Sequence, residues 1–484
     1  MQTHQIVLFV CIGLGMFAVI GGLALLSNYY TLNGIKSRTV GDGQHGTARF
    51  ATEKEIRETY AHIPYQPEKW RKGESLPAEQ GLVVGYKKKA GAVTPFQALC
   101  TALAATVGTG NIIGVSGAIC LGGPGAVFWM WLCGFVGMAT KFAEVTLAGH
   151  YRVLSGGELV GGPMYMIQRG LPRKWHFLAY LYSAFGVVAA FGVGNATQVN
   201  AVVSGVNGIL AAFGREESLF GNLAVGFLMA AAVGAVLFGG VRRIGAAAER
   251  LVPAVSAGYI LLCLWVLVRC RQRILPAFAA IVTGAFSPRA VTGGLIGSAF
   301  VSLRTGCARG IFTNEAGMGT ASMAYAAAQD ADPAELGLLG LIEVFADTIV
   351  ICSLTALAVL TSGIAIPYGV DAGGVLPFQV FSTVCGGWAS AALTFFLCVF
   401  AFATVLGWGL YGARCGQFLF GPGFWKKFVW MQMGGVLLGA VLQTQTLWLA
   451  AEIVNGLMAV PNLIALIALS PELAWLVREY KKKS

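Results

Sequence analysis

The chain has 484 residues, 56% hydrophobic and 11% charged, with a mean hydropathy of +0.70, whereas a soluble globular domain carries about 25% charged residues. That excludes an ordinary soluble protein and predicts an all-α polytopic membrane protein whose core is one large helical bundle, with 66 Gly against 16 Pro suiting close helix approach. The net charge of +11 does not by itself imply nucleic acid, because Lys and Arg gather in the cytoplasmic loops of membrane proteins, and the 11 Cys, scattered singly in runs such as those holding Cys133, Cys263, Cys352 and Cys398, form no disulfide or zinc framework.

In chain order, Ile6 to Leu26 is a long apolar run with no Lys or Arg before it, which predicts a retained transmembrane helix rather than a cleaved signal peptide. Thr31 to Ala92 follows as a polar, charge-rich segment with a short amphipathic helix expected over Thr52 to Tyr60, breaks at Pro64, Pro67 and Pro77, and a basic run Lys87 to Lys89. Ten further spans are expected at Thr94–Ile119, Ala126–Gly149, Phe177–Val206, Leu219–Phe238, Leu251–Val268, Ala290–Ile311, Leu336–Leu360, Trp388–Tyr411, Phe428–Leu442 and Leu447–Leu469. The expected domains are thus an N-terminal transmembrane helix over residues 1–30, a charged cytoplasmic loop over 31–92 and a ten-helix core over 93–484, about 11 helices in all.

Arg152, Arg169, Arg173, Lys174, Arg242, Arg243, Arg414, Lys426, Lys427, Arg478 and the Lys481 to Lys483 tail fall in loops on one side, which the positive-inside rule places in the cytoplasm together with the C-terminus. Arg269, Arg271 and Arg273 fall on the opposite side and fit only if the span after them enters obliquely.

The first core span carries Thr101-Ala-Leu-Ala-Ala-Thr-Val-Gly-Thr-Gly-Asn-Ile-Ile-Gly114, a membrane helix expected to break in its middle. Gly108, Gly110 and Gly114 remove side-chain bulk, while Thr106, Thr109 and Asn111 bring oxygens to the same place. Freed amides there can hold an anion and freed carbonyls a cation, as in discontinuous transporter helices; a small-residue face for close packing fits the local composition equally. The core divides five and five, and the second half also opens on a Gly-rich helix, Gly293-Gly-Leu-Ile-Gly-Ser-Ala-Phe-Val-Ser302, the arithmetic of an inverted-topology repeat.

Ionisable residues inside spans are costly unless paired. Lys141 with Glu144, spaced i, i+3, is expected as a structural ion pair; Glu343 and Asp347, like charges spaced i, i+4, require a cation, a proton or an Arg partner. Arg304, Arg309 and Glu315 are expected buried as well, with Thr313-Asn-Glu-Ala-Gly317 at the cytoplasmic end of its helix as a gate element.

Longer motifs carry a family resemblance. Phe96 to Ile112, Gly122-Gly-Pro-Gly-Ala126, Gly137-Met-Ala-Thr-Lys-Phe-Ala-Glu144, Gly161-Gly-Pro-Met-Tyr165, Ala308-Arg-Gly-Ile-Phe-Thr-Asn-Glu-Ala-Gly317, Asp347-Thr-Ile-Val-Ile-Cys352 and Val454-Asn-Gly-Leu-Met-Ala-Val-Pro-Asn-Leu463 closely resemble the alanine or glycine:cation symporter family, from about Lys87 to the tail. The resemblance implies a LeuT-type 5+5 inverted-repeat fold and sodium-driven uptake of small neutral amino acids, alanine or glycine.

It also implies roles. Val107-Gly-Thr-Gly-Asn111 becomes the unwound helix, with the amides of Thr109 and Gly110 beside Gly108 taking the substrate carboxylate. Sodium would take the Thr106 carbonyl and the Asn111 side-chain oxygen, or a second set of the Ala104, Val107 and Ala401 carbonyls with the Thr404 hydroxyl. Thr404 and Trp408, four residues apart, face the substrate; Asn195 and Gln198 supply amides, Gln198 as the substrate-facing one. Ala196 is small where many relatives carry more bulk, which would widen the pocket, and Val301 and Ser302 would shape the side-chain pocket.

Through about Tyr86 the chain instead resembles the start of coupling proteins from conjugative DNA transfer, in His45-Gly-Thr-Ala-Arg-Phe-Ala-Thr-Glu-Lys-Glu-Ile56 and Gln80-Gly-Leu-Val-Val-Gly85, as a fusion would produce. No phosphate loop of the form G-x-x-x-x-G-K-[ST] occurs, so the motor of such proteins is absent. An amino-acid sensor or channel on the same fold, or a DNA-transfer component, are the competing function classes; no nucleophile–base pair or metal-ligand cluster points to an enzyme. The expected partners are a small neutral amino acid, sodium as coupling ion and membrane lipid, with no other cofactor and no nucleic acid, in a bacterial inner membrane.

Overall fold

The computed structural model describes residues 93–212, 214, 216–286, 299–329, 331–442 and 444–483. The spans and helices expected over 1–92, and the opening of the Gly-rich helix at 290–298, lie outside the described residues.

The first helix, α1 (Pro95–Thr106), starts where Thr94 Oγ1 accepts from the Gln97 amide and the Gln97 side chain accepts from the Thr94 amide, both at 3.1 Å, with Pro95 following the cap. It stops at Val107, a single 3₁₀ turn covers Thr109–Asn111, and α2 (Ile113–Gly122) continues at a bend of 58°. The break expected from Gly108, Gly110 and Gly114 is therefore present. Beyond it lie α3 (Gly125–His150), an antiparallel hairpin of β1 (Val153–Ser155) and β2 (Glu158–Val160), and α4 (Pro163–Gly170). Next come α5 (Phe177–Phe191) and α6 (Thr197–Ala212), joined by a π-helical turn at Gly192–Ala196, then α7 (Leu219–Leu237) and α8 (Gly240–Arg269).

Sequence periodicity did not anticipate α9 (Ile274–Phe286). Just ahead of it, one of the three discordant arginines has an account: Arg273 Nη1 donates to the carbonyls of Ser362 at 3.0 Å and Thr361 at 3.4 Å, capping a helix end with a cation. The remaining helices are α10 (Ala299–Asn314), the short α11 (Ser322–Tyr325), α12 (Pro333–Val344), α13 (Ser353–Thr361), α14 (Leu376–Cys385), α15 (Trp388–Phe420), α16 (Phe424–Gly439), α17 (Thr444–Ala468) and α18 (Ser470–Lys483). A π-helical stretch at Phe345–Cys352 joins α12 to α13.

Among the described residues six continuous helical stretches are long and apolar enough to cross a membrane, rising to eight if each of two bent pairs is one span. The expected spans at Ala290–Ile311 and Phe428–Leu442 correspond to the 16-residue helices α10 and α16. Small residues bring these helices together: a Cβ on Gly306 would stand 2.2 Å from the Ala126 carbonyl oxygen, and one on Gly125 would stand 2.3 Å from the Gly284 backbone. The long α15 packs against α1, α5, α6, α8 and α16, and α3 against α10 and α12, so the break in α1 is surrounded by buried helices.

Candidate functional site at the broken helix

At the break, the Gly108 amide donates to Asn111 Oδ1 at 2.9 Å instead of continuing the helix to Ala104, whose carbonyl thereby loses its helical donor. Among the described residues the amides of Thr109 and Gly110 find no acceptor within the protein. Thr109, Gly110 and Asn111 are all buried, so these polar groups cannot be left to bulk water.

Side chains converge on the same turn. Thr109 Oγ1 donates to Gln198 Oε1 at 2.9 Å. A Cβ on Gly108 would lie 2.7 Å from Thr404 Oγ1 and 3.5 Å from Gln198 Oε1, which is why only glycine fits there. Thr404 is 2% exposed, and its hydroxyl has no hydrogen-bond partner in the protein. Gly108, Thr109, Gln198 and Thr404 therefore form one cluster, in which the Thr109 amide and the Thr404 hydroxyl remain unpaired.

Other expected residues are placed differently. Thr106 Oγ1 donates back to the Ala102 carbonyl at 3.2 Å, leaving only its own carbonyl for a ligand. Asn111 uses its oxygen on Gly108 and its Nδ2 on Asp347 Oδ1 at 2.6 Å and Cys352 Sγ at 3.2 Å, so it anchors the turn to the π-helical stretch. Gly110 faces α10, where a Cβ would meet Thr313 Cγ2 at 3.4 Å and the Phe312 ring at 3.6 Å. Asn195 turns to α16 and donates to the Gln432 carbonyl at 2.8 Å. Ala196 packs on Gly439, where a Cβ would lie 2.7 Å from the Ala196 Cα, so its small size serves helix packing instead of a wider pocket. Ser302 donates to the Gly122 carbonyl at the α2–α10 contact, and Val301, half-buried, is its neighbour at the start of α10.

Trp408 lies one turn from Thr404 on α15 and is fully buried, with its Cβ 2.1 Å from where a Cβ on Gly194 would be. Its Nε1 donates to Glu315 Oε1 at 2.8 Å, and Thr320 Oγ1 donates to Glu315 Oε2 at 2.6 Å. Glu315, with φ of 53°, is the one non-glycine residue at positive φ among the described residues, a backbone state that such contacts must hold in place. Sequence reading assigned Glu315 to a gate element and missed this link; an acidic residue beside Gly317 and Gly319, both at positive φ, was the available signal.

The buried charges pair otherwise than expected. Lys141 Nζ lies 3.4 Å from Glu343 Oε1, not on Glu144, and Tyr325 donates to Glu343 Oε2 at 3.0 Å. Spacing i, i+3 on α3 could not reveal this, because α12 packs along the same face and brings Glu343 to the lysine. Glu144 instead accepts from Asn462 Nδ2 at 2.8 Å and the Gly319 amide at 3.2 Å. Asp347 is satisfied by neutral donors, Asn111 and Thr348. Arg304, expected buried, is exposed, and Arg309 is half-buried.

Discontinuous apolar helices of this kind hold ligands in many secondary transporters, and comparison with solved structures identifies the fold. The fold matches MhsT in complex with L-phenylalanine at TM-score 0.54, with 15% identity over 78% of this chain and 89% of that one. It also matches Mhp1, a nucleobase-cation-symport-1 family transporter, at TM-score 0.52, with 12% identity over 80% and 78% of the two chains. The architecture is thus the LeuT-type inverted-repeat bundle of multi-pass secondary transporters.

A family model described as the sodium:alanine symporter family matches residues 74–484. Curated relatives include the sodium/alanine symporter AgcS of Methanococcus maripaludis, 41% identical over 78% of this chain and 82% of its own length. The probable sodium/glutamine symporter GlnT of Bacillus subtilis is 36% identical over 81% of this chain and 79% of its own. The chain belongs to the sodium:alanine symporter family, whose members are transporters and not enzymes. The match begins at residue 74, ahead of the limit near Lys87 drawn from the motifs, and so takes in the Gln80 to Gly85 stretch that resembles a coupling protein.

Proposed function

We propose that the protein is a sodium-coupled symporter that imports a small neutral amino acid, alanine or glycine, across the bacterial inner membrane by alternating access, with its C-terminus in the cytoplasm. The observation that carries this reading is the pair of free, buried amides at Thr109 and Gly110 beside the partnerless Thr404 hydroxyl. The amides suit a carboxylate. The Thr404 hydroxyl with the Ala104, Val107 and Ala401 carbonyls offers the hard oxygens sodium prefers, and the Thr106 carbonyl with a remaining lone pair of Asn111 Oδ1 offers a second position. Trp408, held by Glu315 one turn from Thr404 on α15, puts a bulky ring on the same helix face, which favours a short substrate side chain. Residues 93–484 carry every one of these groups.

The test is uptake of labelled alanine into proteoliposomes. One coupled charge moving through 100 mV contributes roughly 2.3 kcal/mol, about fifty-fold in concentration, so accumulation is expected with sodium high outside and none with potassium in its place. Equal uptake in the two salts would remove sodium coupling; binding without accumulation would point to a sensor.

A further inference from the structure

A cleft of about 300 Å³ opens between the β1–β2 hairpin, the α7–α8 corner and the region joining α15 to α16, lined by Ser155, Glu158, Gly239, Gly240, Arg414 and Trp425 among others. It shares no residue with the broken-helix site. Arg414 at its wall is only 3% exposed, and its guanidinium stacks 5.5 Å from the Trp425 ring. Nη2 donates to Glu158 Oε2 at 2.7 Å and Nη1 to Gln417 Oε1 at 2.8 Å, while the buried Nε has no partner.

Two helices begin at this cleft. The 30-residue α8 starts at Gly240 and the 16-residue α16 at Phe424, and neither has a side-chain cap, so two partly positive helix ends face the same space. Arg243 lies against Gly239 at the edge of the cleft, a Cβ there meeting its Cδ at 2.4 Å, and its Nη1 donates to the Ala235 carbonyl at 2.8 Å, which leaves its charge and its other donors beside the cleft. Arg242, Lys426 and Lys427 follow the two helix starts. Against these cations the lining holds one acid, Glu158, whose side chain is 41% exposed on a two-stranded hairpin and so is free to swing away.

We propose that this cleft is a site for a phosphate group, carried either by an anionic phospholipid or by free phosphate, which takes Arg414 over from Glu158. The Glu158 carboxylate is the resident competitor, and the unpartnered Nε with the two helix ends is the surplus donor capacity that an incoming phosphate uses.

The experiment is calorimetric titration of the full-length protein in detergent with dioctanoyl phosphatidylglycerol and, separately, inorganic phosphate. Dioctanoylglycerol and matched potassium chloride are the controls. Saturable binding is expected, weakened about tenfold by Arg414→Gln and tightened by Glu158→Gln, the first being a loss of about 1.4 kcal/mol. Arg243→Gln keeps the Arg414–Glu158 pair and should also weaken binding, so a misfolded Arg414 variant does not leave the question open. Binding of the lipid alone assigns a headgroup site; binding of both, in competition, assigns a general phosphate site. No binding above the controls, or binding indifferent to both arginines and to Glu158, overturns the proposal.

Discussion

Gly108 and Thr404 compete for the same few ångströms, and that competition makes single residues at the break testable. Gly108→Ala would drive a Cβ to 2.7 Å from Thr404 Oγ1, where something must shift, so the variant is expected to lose uptake and some stability. Thr404→Ala removes a buried hydroxyl with no partner, a group whose burial costs about 1–3 kcal/mol, so its thermal stability in sodium-free detergent should hold or rise. Its sodium-dependent uptake should nonetheless be lost. In the double variant the close approach disappears, and folding should recover while transport does not. Melting curves with and without sodium, alongside uptake, check all three; a Gly108→Ala protein that transports like the parent would show that the turn is looser than its geometry. Gly110→Val is a separate probe, because the added methyls meet Phe312 and Thr313, and it should abolish alanine binding while the protein still reaches the membrane.

At the scale of elements, the buried charges decide how α3 and α12 lie together. Lys141 and Glu343 are both fully buried, so Lys141→Met leaves a carboxylate without its cation and should destabilise the protein by about 3–5 kcal/mol. Lys141→Met with Glu343→Gln should regain most of that loss, which a thermal melt in detergent would register. A single variant as stable as the parent would mean that some other group neutralises Glu343. The sequence showed that these charges had to be paired but not with whom, because helical spacing reports neighbours on one helix and the true partner sits on another. The broken helix was legible for the opposite reason: Gly108, Thr109 and Gly110 are contiguous, and the rule they obey is local. Asn195 and Ser302 were not separable by sequence from the residues at the break, since an amide or hydroxyl in an apolar span needs a partner wherever it faces; the structure gives them Gln432 and Gly122. The π-helical stretch at Phe345–Cys352 left no periodic signature, yet it is what turns Asp347 toward Asn111.

For the whole molecule, the family match contains the whole of the proposed site. Every residue proposed to hold substrate or sodium lies between Ala104 and Trp408, and the family match covers 74–484. Residues 1–73 fall outside that match and contribute none of these groups. The apolar run from Ile6 to Leu26 is nonetheless long enough to span a bilayer at about 1.5 Å per residue, and removing it changes how the next span begins insertion. Lys87 to Lys89, just ahead of α1, would by the positive-inside rule still hold that end in the cytoplasm. A chain begun at residue 74 is therefore expected to reach the membrane in lower yield but to bind alanine with unchanged affinity. Comparing membrane yield with alanine affinity on the folded fraction separates the two effects. A large loss of affinity in well-folded truncated protein would mean that the segment resembling a coupling protein has become part of the transport cycle.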